Sequence, residues 1–149
     1  MRLACYQPEI AGNMGAILRL SACFGIGVDI IEPCGFIWSD AKMRRAGMDY
    51  VQHVDFARYS GWDAFRAAQE SRIILLTTKG DTRLPDFSFQ PDDILLMGRE
   101  SAGVPPEVAQ ACDAAVRIPL LPQVRSLNIS VAAGIALAEA LRQTKGLPA

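Results

Sequence analysis

Short apolar runs alternate with helix-like segments along the whole chain, and this alternation limits the fold more than any other feature. Residues 3–6, 28–31, 72–77, 94–97 and 115–118 read as strands, and residues 52–56 are expected to add another. Residues 13–25 carry Met14, Ile17, Leu18 and Ser21-Ala22 at helical spacing and stop at Gly25. Residues 39–47 read as a short basic helix or turn. Ser60-Gly-Trp-Asp63 fits a capping box opening a helix to about residue 70. Pro105-Pro106 starts a helix through residue 111. A long, nearly all-apolar helix is expected from residue 127 to about 144, with Leu127, Val131, Ile135 and Ala138 on one stripe and Leu137 and Leu141 alongside. Strands interleaved with helices predict an α/β fold: a mainly parallel sheet with helices on both faces.

At 149 residues the chain reads as one domain, with a loose tail from about residue 145. With 50% hydrophobic and 21% charged residues, it has the composition of a folding chain rather than a disordered one. The longest uncharged stretch, residues 126–138, is too short for a membrane span of about 20 residues. No secretory signal core follows the N-terminus, so a cytoplasmic protein is expected. Cysteines at 5, 23, 34 and 112 form no C-x-x-C and read as reduced, buried thiols. His53 is the only histidine, and nothing around it suggests a zinc site or a Ser-His-Asp triad.

The net charge of −1 gives no overall basic field for nucleic acid. Twelve Arg stand against three Lys, however. That bias suits a planar grip on phosphate, and a GC-rich genome produces the same bias. The long helix from residue 127 is more apolar all round than a surface helix should be, and burial against a second copy of the chain explains that.

Two nucleotide motifs fail. Gly98-Arg-Glu-Ser-Ala-Gly103 follows a strand and precedes a helix, but Val104 and Pro105 stand where a phosphate loop needs Lys and Ser/Thr. Gly25-Ile-Gly27 lacks the third glycine of the dinucleotide fingerprint and follows a helix. Three loops each follow an apolar strand: Thr77-Thr-Lys-Gly80, Gly98 to Gly103, and Ile118 to Asn128. In a parallel sheet they gather at the carboxyl edge, where ligands bind. Their Gly, Pro and small polar residues offer backbone donors and acceptors, which suit a neutral purine-bearing ligand better than a polyphosphate.

Three ordered motifs then stand out. They are Pro8-x-Ile10-x-x-Asn13-x-Gly15-x-x-x-Arg19, Gly98-x-Glu100, and Ile118-Pro119-x-x-Pro122-x-x-Arg125-Ser126-x-Asn128-x-Ser130. Together they resemble the motifs of the SPOUT class of RNA 2′-O-methyltransferases. Ile31-Glu-Pro33, Gly35-Phe36, Arg44-Arg-Ala-Gly47, Asp49-Tyr50 and Thr77-Thr-Lys-Gly80 narrow the resemblance to the small single-domain members that methylate the wobble ribose of tRNA. The likeness runs from about residue 3 to residue 143.

The resemblance implies an α/β fold with a C-terminal trefoil knot, S-adenosylmethionine as methyl donor, no metal, and a homodimer acting on the anticodon stem-loop of tRNA. It implies methyl transfer to the ribose 2′-OH at position 34, on C or a modified U. Methylation at another tRNA or rRNA position, or RNA binding without catalysis, are the alternatives. By position, donor contacts fall at Leu76, Gly98, Ile118 and Ser126. Catalytic roles fall to Arg19, Asn13, Glu100, Ser126 and Asn128. Arg19 lies against the 2′-oxygen and stabilises developing alkoxide, since a guanidinium stays protonated. Asn13 positions Arg19, which at six residues' spacing needs a bend or a loop-placed Asn13, or it caps a helix; Glu100 orients loops or pairs with an Arg, and Ser126 and Asn128 open the last helix. Many relatives carry an added RNA-binding domain; this chain leaves no room for one before its first strand, so the dimer itself is expected to grip tRNA. Lys42, Arg44, Arg45 and Arg125 are candidate phosphate contacts; a solvated helix face is the other reading of Arg44 and Arg45. Ala11-Gly12 stands where relatives place prolines, which is expected to loosen that loop.

Overall fold

Four-residue runs such as Ile-Ile-Leu-Leu and Ile-Leu-Leu-Met have no polar face, so each must be covered on both sides. The computed structural model, which describes residues 1–47 and 50–149, does this with one parallel sheet between two helical layers. Its strands are β1 (Arg2–Tyr6), β2 (Gly27–Ile31), β3 (Phe56–Tyr59), β4 (Ile73–Leu76), β5 (Thr82–Arg83), β6 (Ile94–Met97) and β7 (Ala114–Arg117). Among the described residues every strand pairing is parallel, in the order β3-β2-β1-β6-β4-β7-β5.

The period-2 alternation of the strands splits the core in two. Leu3, Cys5, Val28, Ile30, Ile74, Leu76, Leu95, Met97 and Val116 face one side. There they meet α1 (Ala11–Phe24), α2 (Asp40–Gly47) and α5 (Ile129–Thr144), which supply Met14, Ile17, Leu18, Met43, Leu137 and Leu141. Ala4, Tyr6, Ile31, Ile73, Leu75, Ile94 and Leu96 face the other side, against Phe65 of α3 (Trp62–Ala67) and Val108 of α4 (Pro106–Ala111).

Several boundaries differ from the sequence expectation. The strand expected over 52–56 is a 3-10 turn, Tyr50–His53, and the true edge strand β3 follows it. β3 pairs only with β2 and is half-buried, so it lacks the continuous apolar signature of the inner strands. The expected capping box does not form: α3 starts after Gly61 with no side-chain cap. The last helix opens at Ile129 rather than 127, and β5 has no apolar run to announce it. Ala11-Gly12 is the first turn of α1, entered through Ile10, and not a loosened loop. Only Cys5 of the four thiols is fully buried; Cys23 is exposed, because it falls on the outer face of α1. Helix α5 ends with Lys145 in the left-handed region, and residues 145–149 are exposed. Among the described residues no helix is long and apolar enough to cross a membrane.

Candidate active site

Register brings the cleft together. Leu76 of β4 lies opposite both Met97 of β6 and Val116 of β7, so the chain leaves three neighbouring strands at one level. The loops that follow, with the start of α1, wall a cleft of about 880 Å³. This falls within the roughly 300–1,000 Å³ typical of small-molecule sites. Leu76, Gly98, Ile118 and Ser126 all line it, as do Asn13, Glu100, Arg125 and Asn128. Lys79 and Arg99 add two further cations to the wall.

The loops after β4 and β6 are fixed by contacts to backbone groups. Thr77 N–H donates to Val116 O at 2.9 Å, and Arg117 reaches over β7 to donate to the carbonyls of Gly80 (2.6 Å) and Asp81 (2.9 Å). Arg99 and Gly103 exchange two backbone hydrogen bonds of 3.0 Å each, closing the loop from 98 to 103 on itself. A Cβ on Gly98 would sit 2.8 Å from the Gly103 backbone, closer than any real contact allows. We therefore expect Gly98→Ala to push this loop out of place. With the methyl donor that the sequence resemblance implies, the Kd for S-adenosylmethionine, read by titration calorimetry, should rise at least tenfold, or about 1.4 kcal/mol; an unchanged Kd would separate the loop from the donor.

A polar network then ties all three motifs to one another. The Glu100 carboxylate accepts from the Glu9 backbone N–H (3.0 Å) and from the Asn13 amide (3.4 Å). Asn128 donates to Asn13 Oδ1 at 3.1 Å. With its own Oδ1, Asn128 accepts from Ser130 N–H (2.9 Å), Ser130 Oγ (2.6 Å) and, at 3.4 Å, Val131 N–H. It thus caps α5 while facing the cleft. Glu9 in turn accepts from the backbone N–H (3.0 Å) and hydroxyl (2.7 Å) of Ser101. Those bonds, the backbone one first, hold its carboxyl below the usual range. Glu9 and Ser101 are 92 positions apart and carry no motif signal; only the fold reveals them.

The remaining predicted residues spread around this core. Ser126 lines the cleft but does not cap α5; that task falls to Asn128 alone. Asn13 is the third residue of α1, so it is neither an N-cap nor loop-placed, and its amide engages Glu100 and Asn128. Arg19 stands six residues further along the same continuous helix, about 9 Å along its axis and on a different face. It does not line the cleft; its guanidinium lies over the Tyr50 ring, 5.5 Å from the centroid. Lys42, Arg44 and Arg45 are exposed on α2, which packs against α1, and Arg125 is exposed at the cleft rim. Asp49 lies outside the described residues.

A family model described as the SpoU rRNA Methylase family matches residues 1–138. The chain belongs to that family. A tRNA (cytidine(34)-2′-O)-methyltransferase from Beijerinckia indica is 55% identical, across 97% of this chain and 92% of the relative. One from Escherichia coli K12 with the same name is 40% identical, across 96% and 93%. A solved structure concerned with 2-OH methylation of C/U34 on tRNA superimposes with a TM-score of 0.92. It is 40% identical and aligns over 97% of this chain and 96% of its own. The SpoU methyltransferase AviRb from Streptomyces viridochromogenes, in complex with the cofactor AdoMet, gives 0.84 at 26% identity, over 96% of this chain and 60% of its own.

Proposed function

We propose that this protein transfers a methyl group from S-adenosylmethionine to the ribose 2′-hydroxyl of nucleotide 34 of tRNA. The observation that carries this reading is the cleft closed by the Asn13–Glu100–Asn128 hydrogen bonds, in a chain so similar along its length to tRNA (cytidine(34)-2′-O)-methyltransferases. The loops present mostly backbone donors, acceptors and small side chains, which fit an adenosine and a thioether better than a polyphosphate. When bound, S-adenosylmethionine supplies a methyl group already activated on a sulfonium.

The protein's own contributions are alignment and charge. Leu76, Gly98, Ile118 and Ser126 hold the donor. Glu100, Asn13 and Asn128 lock α1 and α5 onto the loop after β6, so the acceptor side keeps a fixed position relative to the donor side. Arg19 meets the ribose 2′-oxygen and its neighbouring phosphate, and stabilises the negative charge that grows as the hydroxyl proton leaves. Lys42, Arg44, Arg45 and Arg125 grip the backbone of the anticodon stem-loop, so tRNA affinity falls as salt rises.

The same reading includes the family's trefoil knot, formed where the segment after β7 threads through a loop, and a homodimer built on the outward apolar stripe of α5. A tRNA substrate supports a cytoplasmic location. The test is direct. Incubation with methyl-labelled donor and unmodified or native tRNA pools, followed by nucleotide mapping, should put the label on the 2′-oxygen of position 34. Label at another tRNA or rRNA position, or none with donor bound, would overturn the assignment.

A further inference from the structure

On the reading of the donor site given above, we propose that Arg117 is a positioning residue for the methyl donor: it pins the loop after β4 against β7 and so sets the spacing of two walls of the cleft. Arg117 is the last residue of β7, immediately before Ile118 in the cleft wall. Its Nη1 donates to two successive carbonyls of the loop after β4, Gly80 O at 2.6 Å and Asp81 O at 2.9 Å. The same loop contributes Thr77, Thr78 and Lys79 to the cleft. One guanidinium therefore ties the wall at 77–79 to the wall that begins at 118.

The shape of that loop and its placement are held by different bonds. Its shape is local: Gly80 N–H donates to Thr77 O at 3.1 Å and Lys79 N–H to Thr77 Oγ1 at 3.3 Å, so residues 77–80 close a turn on themselves. Its placement depends on β7. At the near end Thr77 N–H is anchored on Val116 O at 2.9 Å. At the far end Gly80 is buried, so close to β7 that a Cβ would stand 2.5 Å from the Val116 carbonyl carbon. Beyond it the chain pairs with β7 through the two-residue strand β5, Thr82 opposite Val116 and Arg83 opposite Arg117. A pairing that short fixes a loop weakly, whereas hydrogen bonds from a cation are stronger than neutral ones. The Asn13–Glu100–Asn128 network is built without Arg117. Loss of the guanidinium should therefore loosen the donor wall and leave both the turn and the acceptor side intact. The cost then falls on donor binding and not on the chemical step.

The experiment compares the full-length parent with Arg117→Met, which keeps an apolar stem without a donor, and Arg117→Gln, whose shorter amide does not reach the carbonyls. Calorimetry gives the Kd for S-adenosylmethionine. Steady-state transfer gives KM for donor, KM for tRNA and turnover with both saturating, and melting temperatures are recorded throughout. Each variant should raise donor Kd and donor KM about tenfold. Saturated turnover and KM for tRNA should stay within twofold of the parent. A folded variant that binds donor within twofold of the parent would overturn the proposal. So would a fall in saturated turnover as large as the rise in donor KM, the mark of a general distortion. Should one substitution prevent folding, the other decides; failure of both to fold would assign Arg117 to the fold and overturn its role toward the donor. A parent that does not bind S-adenosylmethionine would instead overturn the donor reading of the cleft itself.

Discussion

Arg19→Ala should lower the rate of methyl transfer by about 10²- to 10³-fold while leaving donor binding intact. The magnitude is that of removing one preorganised donor aimed at developing negative charge. The separation follows from position: Arg19 lies outside the cleft, on α1 beyond Asn13, while the proposed donor-holding residues sit at the end of β4 and on the segments after β6 and β7. No hydrogen bond of the Glu100–Asn13–Asn128 network passes through Arg19, so the network should survive the substitution. Calorimetry with S-adenosylmethionine and single-turnover transfer to tRNA give the two numbers. A rate within threefold of the parent would remove the guanidinium from the chemistry, and a parallel loss of donor affinity would show that it acts on the cleft instead. Arg19→Lys sharpens the comparison. A lysine keeps the charge but loses the planar fork, so it should recover only part of the rate.

How far this site could be read beforehand depends on what kind of signal each residue carries. The inner strands were legible because burial on both faces leaves an uninterrupted apolar run, as in β4 and β6. Glycine-rich loops after such strands point to the carboxyl edge, and parallel register at Leu76, Met97 and Val116 then brings them to one level. β3 and β5 were not legible, since an edge strand of half-buried residues and a two-residue strand have no such run. Helix starts slipped where a capping side chain suggested by the sequence was not used, at Ser60, or where the cap lay later than the apolar pattern, at Asn128.

Residue roles were harder to read than residue identities. Asn13 and Arg19 share a motif, and the resemblance implies a pairing that their six-residue spacing allows only through a bend or a loop-placed Asn13. On one continuous helix that spacing separates them, and the partners of Asn13 come instead from Glu100 and Asn128, 87 and 115 positions away. Glu9 with Ser101, and Tyr50 with Arg19, are likewise pairings that only tertiary structure creates. Local periodicity can say which face a residue occupies but not which distant loop arrives there. That is why the ordered set of motifs identified the chemistry, while the fold was needed to divide the labour among them.

If the homodimer proposed above is built on the outer face of α5, Ile135→Glu should convert it to a monomer and abolish transfer to tRNA. The inner face of α5 is fully used: Ala133, Ala136, Leu137, Ala140 and Leu141 are all buried against the sheet and α1. Its outer face should then be polar, yet it carries Val131 at 50% exposure, Ile135 at 40% and exposed Ala138. A shallow groove continues this stripe from Ile135 and Ala138 to Leu84, Pro85 and Leu147. An apolar stripe flanked by the Glu139–Arg142 ion pair has the pattern of an isologous interface, buried core inside and charged rim outside. A carboxylate at its centre must either be desolvated without a partner, at a cost of several kcal/mol, or keep the chains apart. Light scattering should therefore give 16.2 kDa for the variant and twice that for the parent. On the RNA contacts and homodimer proposed above, transfer should fail because one basic α2 surface then has to grip the stem-loop in place of two. A variant that remains dimeric would move the interface elsewhere, and a monomer with full transfer activity would show that a single copy suffices for tRNA.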